Sequence, residues 1–305
     1  MPGITLLERG WLSSNNILLH GGGAGAVLID AGHVVHAPQT VALVQHALQG
    51  EALRALVNTH LHSDHCGGNA SLQRHFGCTL HMPPGDWAAV QAWDEDRLSY
   101  RATGQRCEPF KPDGCVHPGD TLRVGGRAWQ ALAAPGHDPH SLIFFDDRDG
   151  IVITADALWE RGFGIVFPEL DGAAAFDQVA DTLDLIESLG ARWALPGHGA
   201  AFQDIPQALG LARQRLTAFR ADPARHARHA LKALISFHVM EVGQEALPDL
   251  LRWLVAAPLY TTVWQRIGRP GGSLAACGEA LVAELCAAGV LQRHKGEEGG
   301  EIVSA

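Results

Sequence analysis

The sequence lacks any apolar run approaching the roughly 18–20 residues that a helix needs to cross a membrane. Residues 1–14 also lack the basic flank and long apolar core of a secretory signal. The six cysteines are scattered without the spacing of a disulfide framework. These absences favour a globular cytoplasmic protein with reduced thiols, and they argue against a membrane protein.

Lysine is scarce as well, since Lys111, Lys232 and Lys295 are the only lysines in the chain. The formal net charge is −10 at pH 7. Because a negative protein repels nucleic-acid phosphates, broad nucleic-acid binding is disfavoured, although a local basic groove is not excluded. What the chain has in abundance is histidine, with 17 residues, and their spacing carries the functional argument.

Short apolar segments bounded by glycine and aspartate predict strands through most of residues 16–200. Residues 16–20 and 26–30 are typical of a hairpin, while residues 176–189 have the spacing of an amphipathic helix. Strands separated by helices, with hairpins among them, predict two packed sheets with helices outside. Residues 84–113 show no clean period, and we interpret them as a helical insertion over an active site.

After Gly199 the pattern becomes helical, at residues 207–219, 227–240, 245–256 and 274–287. Two short strands around a charged turn complete the tail. This order predicts a winged-helix-like module. We place the boundary where Pro223 interrupts the helical pattern, which gives domains at residues 1–222 and 223–305.

Four ligand-type side chains lie within six positions directly after a predicted strand, namely His60, His62, Asp64 and His65. At the end of a strand His60 and His62 point the same way, because side chains alternate with a period of two. The glycines that follow let the chain turn, so Asp64 and His65 face a second position. A lone histidine is usually structural, but this combination of imidazole and carboxylate predicts a site for zinc, iron or manganese.

Three further candidates follow apolar strands and lie beside small residues, which predicts that they share one rim of the sandwich. They are His137 in APGHDPHS, Asp156 in VITADAL and His198 in LPGHGA. Two metal ions with six terminal ligands and one shared carboxylate need seven groups, and the sequence supplies seven. For Cys66, beside the ligands, we expect packing under the loop.

These motifs resemble those of the metallo-β-lactamase superfamily, and within it the glyoxalase II-like (hydroxyacylglutathione hydrolase-like) enzymes. The signature H-x-H-x-D-H occupies residues 60–65, and the PGH, Asp and GHG motifs occur at His137, Asp156 and His198. The resemblance implies an α/β fold, a four-layer αββα sandwich, in which Asp30 of VLIDAG braces the metal loop. It also implies the metal ligands: His60, His62 and His137 for one ion, Asp64, His65 and His198 for the other, and Asp156 as the bridge.

The implied function is that of a metal-dependent hydrolase. Two divalent ions about 3.5–4 Å apart lower the pKa of a shared water from 15.7 toward about 7, so a bridging hydroxide is the expected nucleophile. Asp64 is the catalytic candidate, because it could also orient that nucleophile or carry a proton. Histidine-rich ligation without thiolate favours zinc, with iron and manganese as alternatives.

The expected substrate is a small molecule with an ester-type bond, a thioester or a lactone. Residues 155–170 lack the lysine-bearing glutathione segment of glyoxalase II, which argues against glutathione itself. The first alternative is an endoribonuclease or phosphodiesterase, because the tail also resembles that of a lactamase-like endoribonuclease group. An arginine run between residues 213 and 228 supports this alternative, whereas the net charge opposes it. A further alternative is a β-lactamase.

The first tail helix directly follows the His198 turn, so Arg213 or Arg215 is expected to bind an anionic group of the substrate. The hairpin at residues 290–305 is assigned to packing or dimerisation, which allows a homodimer. His140 is interpreted as a residue that caps its loop, or else as a substrate or proton-transfer group at the rim. The pairs His33/His36 and His226/His229 are expected to be exposed.

Overall fold

The computed structural model describes residues 1–296 and 299–305 and divides into two compact units. The first comprises Met1–Leu98, Arg106–Glu169 and Ala174–Thr217, and the second comprises Ser99–Gln105, Leu170–Ala173 and Ala218–Ala305. The predicted domain boundary after residue 222 stays a prediction. Within the described residues, no helix is both long enough and apolar enough to cross a membrane.

The first unit contains two β-sheets. Its strands are β1 (Ile4–Leu7), β2 (Asn16–Leu19), β3 (Ala26–Ile29), β4 (Leu53–Val57), β5 (Thr79–Met82), β6 (Gly114–Cys115), β7 (Thr121–Val124), β8 (Arg127–Ala133), β9 (Leu142–Asp146), β10 (Ile151–Ala155) and β11 (Trp193–Pro196). One sheet has the order β1-β2-β3-β4-β5-β6 and the other the order β11-β10-β9-β8-β7. The predicted hairpin is confirmed, since β2 and β3 pair in antiparallel fashion.

Helices connect and cover these strands. They are α1 (Ala37–Leu48), α2 (Ser63–Cys66), α3 (Asn69–Phe76), α4 (Trp87–Ala92), α5 (Tyr100–Thr103), α6 (Phe167–Asp171), α7 (Phe176–Ser188) and α8 (Ile205–Ala221), of which α5 lies in the second unit and α6 and α8 continue into it. Helix α3 contacts β4 and β5, and α7 forms the crossover between the parallel strands β10 and β11. The segment 84–113 contains α4 and α5, so its helical content is confirmed, whereas its position over an active site stays a prediction.

The core of the first unit lies between the two sheets. Ile29 and Val57 of one sheet form a single buried cluster with Phe144, Ile153 and Leu195 of the other. Burial of these side chains between the sheets, with helices outside, confirms the expected αββα sandwich. Strands β10 and β11 are parallel, and β9 is antiparallel to both β8 and β10. Strands β8, β10 and β11 therefore end at the same edge of their sheet.

The second unit combines helices with a small antiparallel sheet. It contains α9 (Pro223–Val242), α10 (Leu247–Ala256), α11 (Pro258–Arg266) and α12 (Leu274–Ala287), with strands β12 (Gln244–Ala246), β13 (Gln292–Lys295) and β14 (Glu301–Ser304) in the order β12-β14-β13. The hairpin of β13 and β14 was predicted, whereas β12 and α11 were not. Two residues of the predicted charged turn, Glu297 and Glu298, lie outside the described residues.

Candidate metal centre

The seven predicted ligands meet at the edge where β4, β8, β10 and β11 end. His60 and His62 follow β4, and the short helix α2 carries Asp64 and His65. The loops after the other three strands supply the remaining ligands, His137, Asp156 and His198. All seven are buried except His62, whose side chain is 12% exposed.

His60, His62 and His137 form the first cluster. The distance from His62 Nδ1 to His137 Nε2 is 2.8 Å, and that from His137 Nε2 to His60 Nε2 is 3.2 Å. The three ring nitrogens thus converge on one point, which is the arrangement a metal ion requires.

Asp64, His65, Asp156 and His198 form the second cluster. Asp64 Oδ2 lies 3.0 Å from His198 Nε2 and 3.7 Å from His65 Nε2. One carboxylate oxygen and two imidazole nitrogens therefore face each other, and the carboxylate of Asp156 completes the set.

Asp156 lies between the two clusters. Its Oδ2 is 3.5 Å from His137 Nε2, whereas its Oδ1 is 3.4 Å from His65 Nε2 and 3.7 Å from His198 Nε2. The neighbouring Gly197 makes room for this carboxylate, because a Cβ on Gly197 would lie 2.2 Å from Asp156 Oδ1. A side chain at Gly197, the first glycine of the PGHG turn, would therefore collide with Asp156.

The spacing of these atoms fits metal ions. Tetrahedral zinc with bonds of about 2.0–2.1 Å holds its ligand atoms about 3.3 Å apart, close to the 2.8–3.7 Å measured here. His65 Nε2 is fully buried and has no hydrogen-bond partner in the part of the chain that the structure describes. An unpartnered buried nitrogen facing two carboxylates is suited to a cation.

The second cluster is strongly anionic. Among the described residues, every ion pair of Asp30, Asp64 and Asp156 is with a histidine, so no arginine or lysine neutralises these carboxylates. Burial alone would raise the pKa of Asp64, but His65 and His198 outweigh it and lower that pKa to about 2. Burial would also lower the pKa of His65, yet Asp156 and Asp30 raise it well above its ordinary value. Buried anions of this kind need cationic partners.

The first cluster has the opposite character. Burial and then the neighbouring imidazoles hold the pKa of His60 well below its ordinary value. Burial and His137 lower the pKa of His62 to about 3. These histidines are therefore neutral at physiological pH, and the neutral imidazole is the form that binds metal.

Asp30 makes the predicted contact with the metal loop. Its Oδ1 accepts the backbone N–H of Thr59 and its Oδ2 accepts the Thr59 hydroxyl, each at 2.8 Å. Oδ2 also lies 2.8 Å from His65 Nδ1. Because Asp30 holds Nδ1, the opposite ring nitrogen of His65 is directed into the second cluster.

Three residues around the centre were not predicted. Trp159 donates its Nε1–H to Asp156 Oδ1 at 3.2 Å, and Trp11 stacks on the His198 ring with centroids 5.4 Å apart. Asn15 donates to the carbonyl oxygens of Pro196 and Gly199, at 2.9 and 2.7 Å, and so fixes the turn of His198. The position of Trp159, three residues after Asp156, was a sequence signal for this contact. No such signal exists for Trp11 and Asn15, because they lie far in sequence from the residues they contact.

The predictions for the other cysteine and histidine residues have mixed outcomes. Cys66 is fully buried and its thiol donates to Leu61 O, which confirms its packing role. The backbone N–H of His140 donates to Asp138 Oδ1 at 2.7 Å, in agreement with a loop-capping role.

The expected exposure is wrong for His33 and His226, which are 1% and 2% exposed. His33 caps the short turn Val34–His36, and His226 packs against the ring of Phe219.

The structure also corrects the expectation for Arg213. Its guanidinium lies 2.6 Å from Asp184 Oδ1 and 2.7 Å from Glu187 Oε2, both on α7. The guanidinium of Arg213 is therefore already bound by two carboxylates, so Arg213 is not placed to bind an anionic substrate group.

Comparison with known proteins agrees with this site. The Metallo-beta-lactamase superfamily profile matches residues 9–198. The chain is 26% identical over 202 residues to an atrochrysone carboxyl ACP thioesterase of Aspergillus fumigatus, covering 66% of this chain and 41% of the relative. It is 30% identical over 153 residues to a hydroxyacylglutathione hydrolase of Nitrobacter winogradskyi, covering 50% of each protein. The chain thus spans at most about half the length of these two curated relatives.

A solved structure is similar as well. TTHA1623 in a di-iron-bound form superposes with a TM-score of 0.53 at 29% sequence identity, covering 68% of this chain and 96% of that protein. The names of the two curated relatives, a thioesterase and a hydrolase, agree with the prediction of a metal-dependent hydrolase.

Proposed function

The chain belongs to the metallo-beta-lactamase superfamily, and from this premise we propose that it is a dinuclear metal-dependent hydrolase of ester-type bonds. The observation that carries the proposal is the position of Asp156, whose Oδ2 faces the first cluster and whose Oδ1 faces the second. A carboxylate with one oxygen toward each of two sites is suited to bridge two ions. A thioester or a lactone is the proposed substrate. The names of both curated relatives, a thioesterase and a hydroxyacylglutathione hydrolase, favour the thioester.

The two clusters divide the ligands between two ions. In this proposal His60, His62 and His137 would hold one ion, Asp64, His65 and His198 would hold the other, and Asp156 would be a ligand to both. Nitrogen and oxygen ligands without thiolate favour zinc. Iron is supported as an alternative by the di-iron form of TTHA1623, and manganese suits the same ligands.

When bound, such ions supply a nucleophile from water at neutral pH and polarise the scissile carbonyl. The protein contributes position and charge. Asp64 stays ionised at neutral pH because its pKa is about 2, so it can orient a nucleophile and accept a proton transiently. Asp30 keeps His65 in the required tautomer, and Asn15 holds the turn that carries His198.

For the second unit we propose a winged-helix-like module, supported by α9, α10 and α12 together with the three-stranded sheet. Its charges do not favour RNA as the substrate. Arg228 and Lys232 both pair with Glu284, so one carboxylate already offsets part of the positive charge of the basic stretch. The endoribonuclease alternative therefore has no specific support.

A substrate panel tests the proposed function. The metal-reconstituted protein is assayed with thioesters, lactones, bis-p-nitrophenyl phosphate, nitrocefin and short RNA. We expect hydrolysis of a thioester or lactone that a chelator abolishes and added metal restores. Asp147→Ala, a change at an exposed aspartate, provides the control variant. Turnover of RNA or nitrocefin alone, or activity insensitive to the chelator, would contradict the proposal.

A further inference from the structure

Two arginines of α8 have different surroundings. Arg213 pairs with Asp184 and Glu187 on the protein surface. Arg215 is half-buried and has no ion pair or hydrogen bond among the described residues. Burial lowers the pKa of its guanidinium. Because burying an unpaired charge is costly, the position of Arg215 calls for an anionic partner.

Arg215 lines a cavity of about 410 Å³ together with Glu160, Arg161, Gln207 and Leu211. Within the described part of the chain Arg161 has no ion pair either, so two guanidinium groups share the cavity with a single carboxylate. The whole chain carries a net charge of −10, which makes a local excess of positive charge unusual. The volume lies within the range of small-molecule sites.

The loop between Asp156 and Gly164 connects this cavity to the metal centre. Gly162 has a φ of +125°, and a Cβ at that position would lie 2.4 Å from Arg215 Nη1. The guanidinium therefore lies directly against the loop backbone. The loop is closed by hydrogen bonds from Trp159 N to Gly162 O, 2.7 Å, and from Gly164 N to Asp156 O, 2.9 Å. The cavity is thus one short, tightly bonded loop away from the carboxylate that faces both clusters.

We propose that Arg215 and Arg161 form a subsite for an anionic group, a carboxylate or a phosphate, at the non-reacting end of the substrate. This inference rests on the proposed thioester hydrolysis. A guanidinium can hold either anion through two parallel, charge-assisted hydrogen bonds. Arg215 is not one of the seven ligand residues, so its role in this proposal is substrate binding and not the chemical step.

Matched substrates that differ by the presence of one type of anionic group test the subsite. One pair is acetylpantetheine and its 4′-phosphate, and the other is the diamide of S-acetylglutathione, which lacks both carboxylates, and S-acetylglutathione itself. Arg215→Gln should raise KM for the member of one pair that carries the phosphate or carboxylates by about 10- to 100-fold, with little change in kcat. The KM of the member that lacks this group should change little. The pair that responds distinguishes a phosphate from a carboxylate as the natural group.

Two further variants serve as controls. Arg215→Lys keeps the positive charge but cannot form the two parallel hydrogen bonds of a guanidinium. Its increase in KM should therefore be intermediate. Arg213→Gln alters a neighbouring arginine that already forms ion pairs with Asp184 and Glu187. It should leave KM and kcat unchanged for both members of each substrate pair. If Arg215→Gln loses activity equally on both members of a pair, Arg215 has a structural role. No change on either member would also overturn the proposal.

A binding measurement separates this inference from the proposed hydrolysis. S-methylglutathione and S-methyl-4′-phosphopantetheine carry the anionic groups but contain no bond to cleave. Calorimetry on the metal-loaded protein should show binding of one thioether that Arg215→Gln weakens about 10- to 100-fold. Such binding without any thioesterase activity would refute the proposed function and leave the subsite standing. Binding of neither thioether to the wild-type protein would overturn the subsite.

Discussion

The first and second clusters lie side by side but differ in charge. The first consists of three imidazoles whose pKa values are lowered, chiefly by burial. The second contains two buried carboxylates, with Asp30 behind His65 adding a third. The first cluster is therefore ready to bind a cation as neutral ligands, whereas the second is a buried negative region that needs a cation. Asp156 is the residue that contacts both.

Removing Asp156 should have the largest effect, because it takes a ligand from both clusters. For Asp156→Ala we expect reduced occupancy of both ions and a fall in hydrolysis of about 10³-fold or more. Elemental analysis and initial rates measure the two quantities, with Asp147→Ala as the control. If the variant keeps two tightly bound ions, Asp156 does not bridge.

Changing Asp30 should affect one cluster selectively. Asp30→Asn keeps the size of the side chain but loses the charge that orients His65. Loss of such a partner typically reduces metal affinity or activity by about 10- to 100-fold. Competition with a chromogenic chelator should show weaker binding at the second cluster and unchanged binding at the first. Wild-type affinity and turnover in this variant would show that the contact is dispensable.

Acidification should empty the two clusters at different pH. The pKa of His65 is raised, so a proton competes with metal there at a higher pH than on an ordinary histidine. The pKa of His62 is about 3, so protons compete at the first cluster only at much lower pH. Metal affinity of the second cluster should therefore fall first as the pH falls, by up to about tenfold per pH unit for one displaced proton.

Dialysis at a series of pH values, followed by elemental analysis, measures this order. His198→Ala, which lacks one ligand of the second cluster, should show only the step at lower pH. Release of both ions in a single step from the wild-type protein would contradict the difference between the clusters.

The smallest effect is expected for Trp159. Trp159→Phe keeps a ring beside His198 but removes the N–H that donates to Asp156 Oδ1. The loss of one hydrogen bond should weaken metal binding by about 2- to 10-fold. Trp193→Phe is a matched control, because Trp193 lies at the start of β11, at the opposite end of that strand from His198. Identical metal affinities for the two variants would show that Trp159 does not position the carboxylate.

The seven ligands could be predicted because each of them lies in a short, recognisable stretch of sequence. Residues 60–65 are adjacent in sequence, and His137, Asp156 and His198 each follow an apolar strand. Strands β8, β10 and β11 run in the same direction, so the loops that carry these three residues lie at one edge of their sheet. Their meeting with residues 60–65, which follow β4 of the other sheet, depends on how the two sheets pack. Asn15 and Trp11 carry no such pattern, because their contacts with the His198 turn depend on how distant segments pack.

The errors in the second unit and in histidine exposure have physical causes. Helix α11 contains Thr261, Thr262 and Val263, and β-branched residues have low helix propensity, which conceals the helical pattern. The predicted helix at 245–256 begins at Leu247, and Pro248 in its first turn was the available signal for that start. Burial of His226 could not be predicted, because a histidine does not reveal by its type whether it will be buried.

The metal content of the purified protein tests the two-cluster proposal most directly. After reconstitution with zinc and removal of loosely bound ions, elemental analysis should give two ions per chain for the wild-type protein. His198→Ala should give about one, because it removes a ligand of the second cluster and leaves the first cluster intact. A wild-type chain that holds no more than one ion, even after reconstitution, would contradict the proposal.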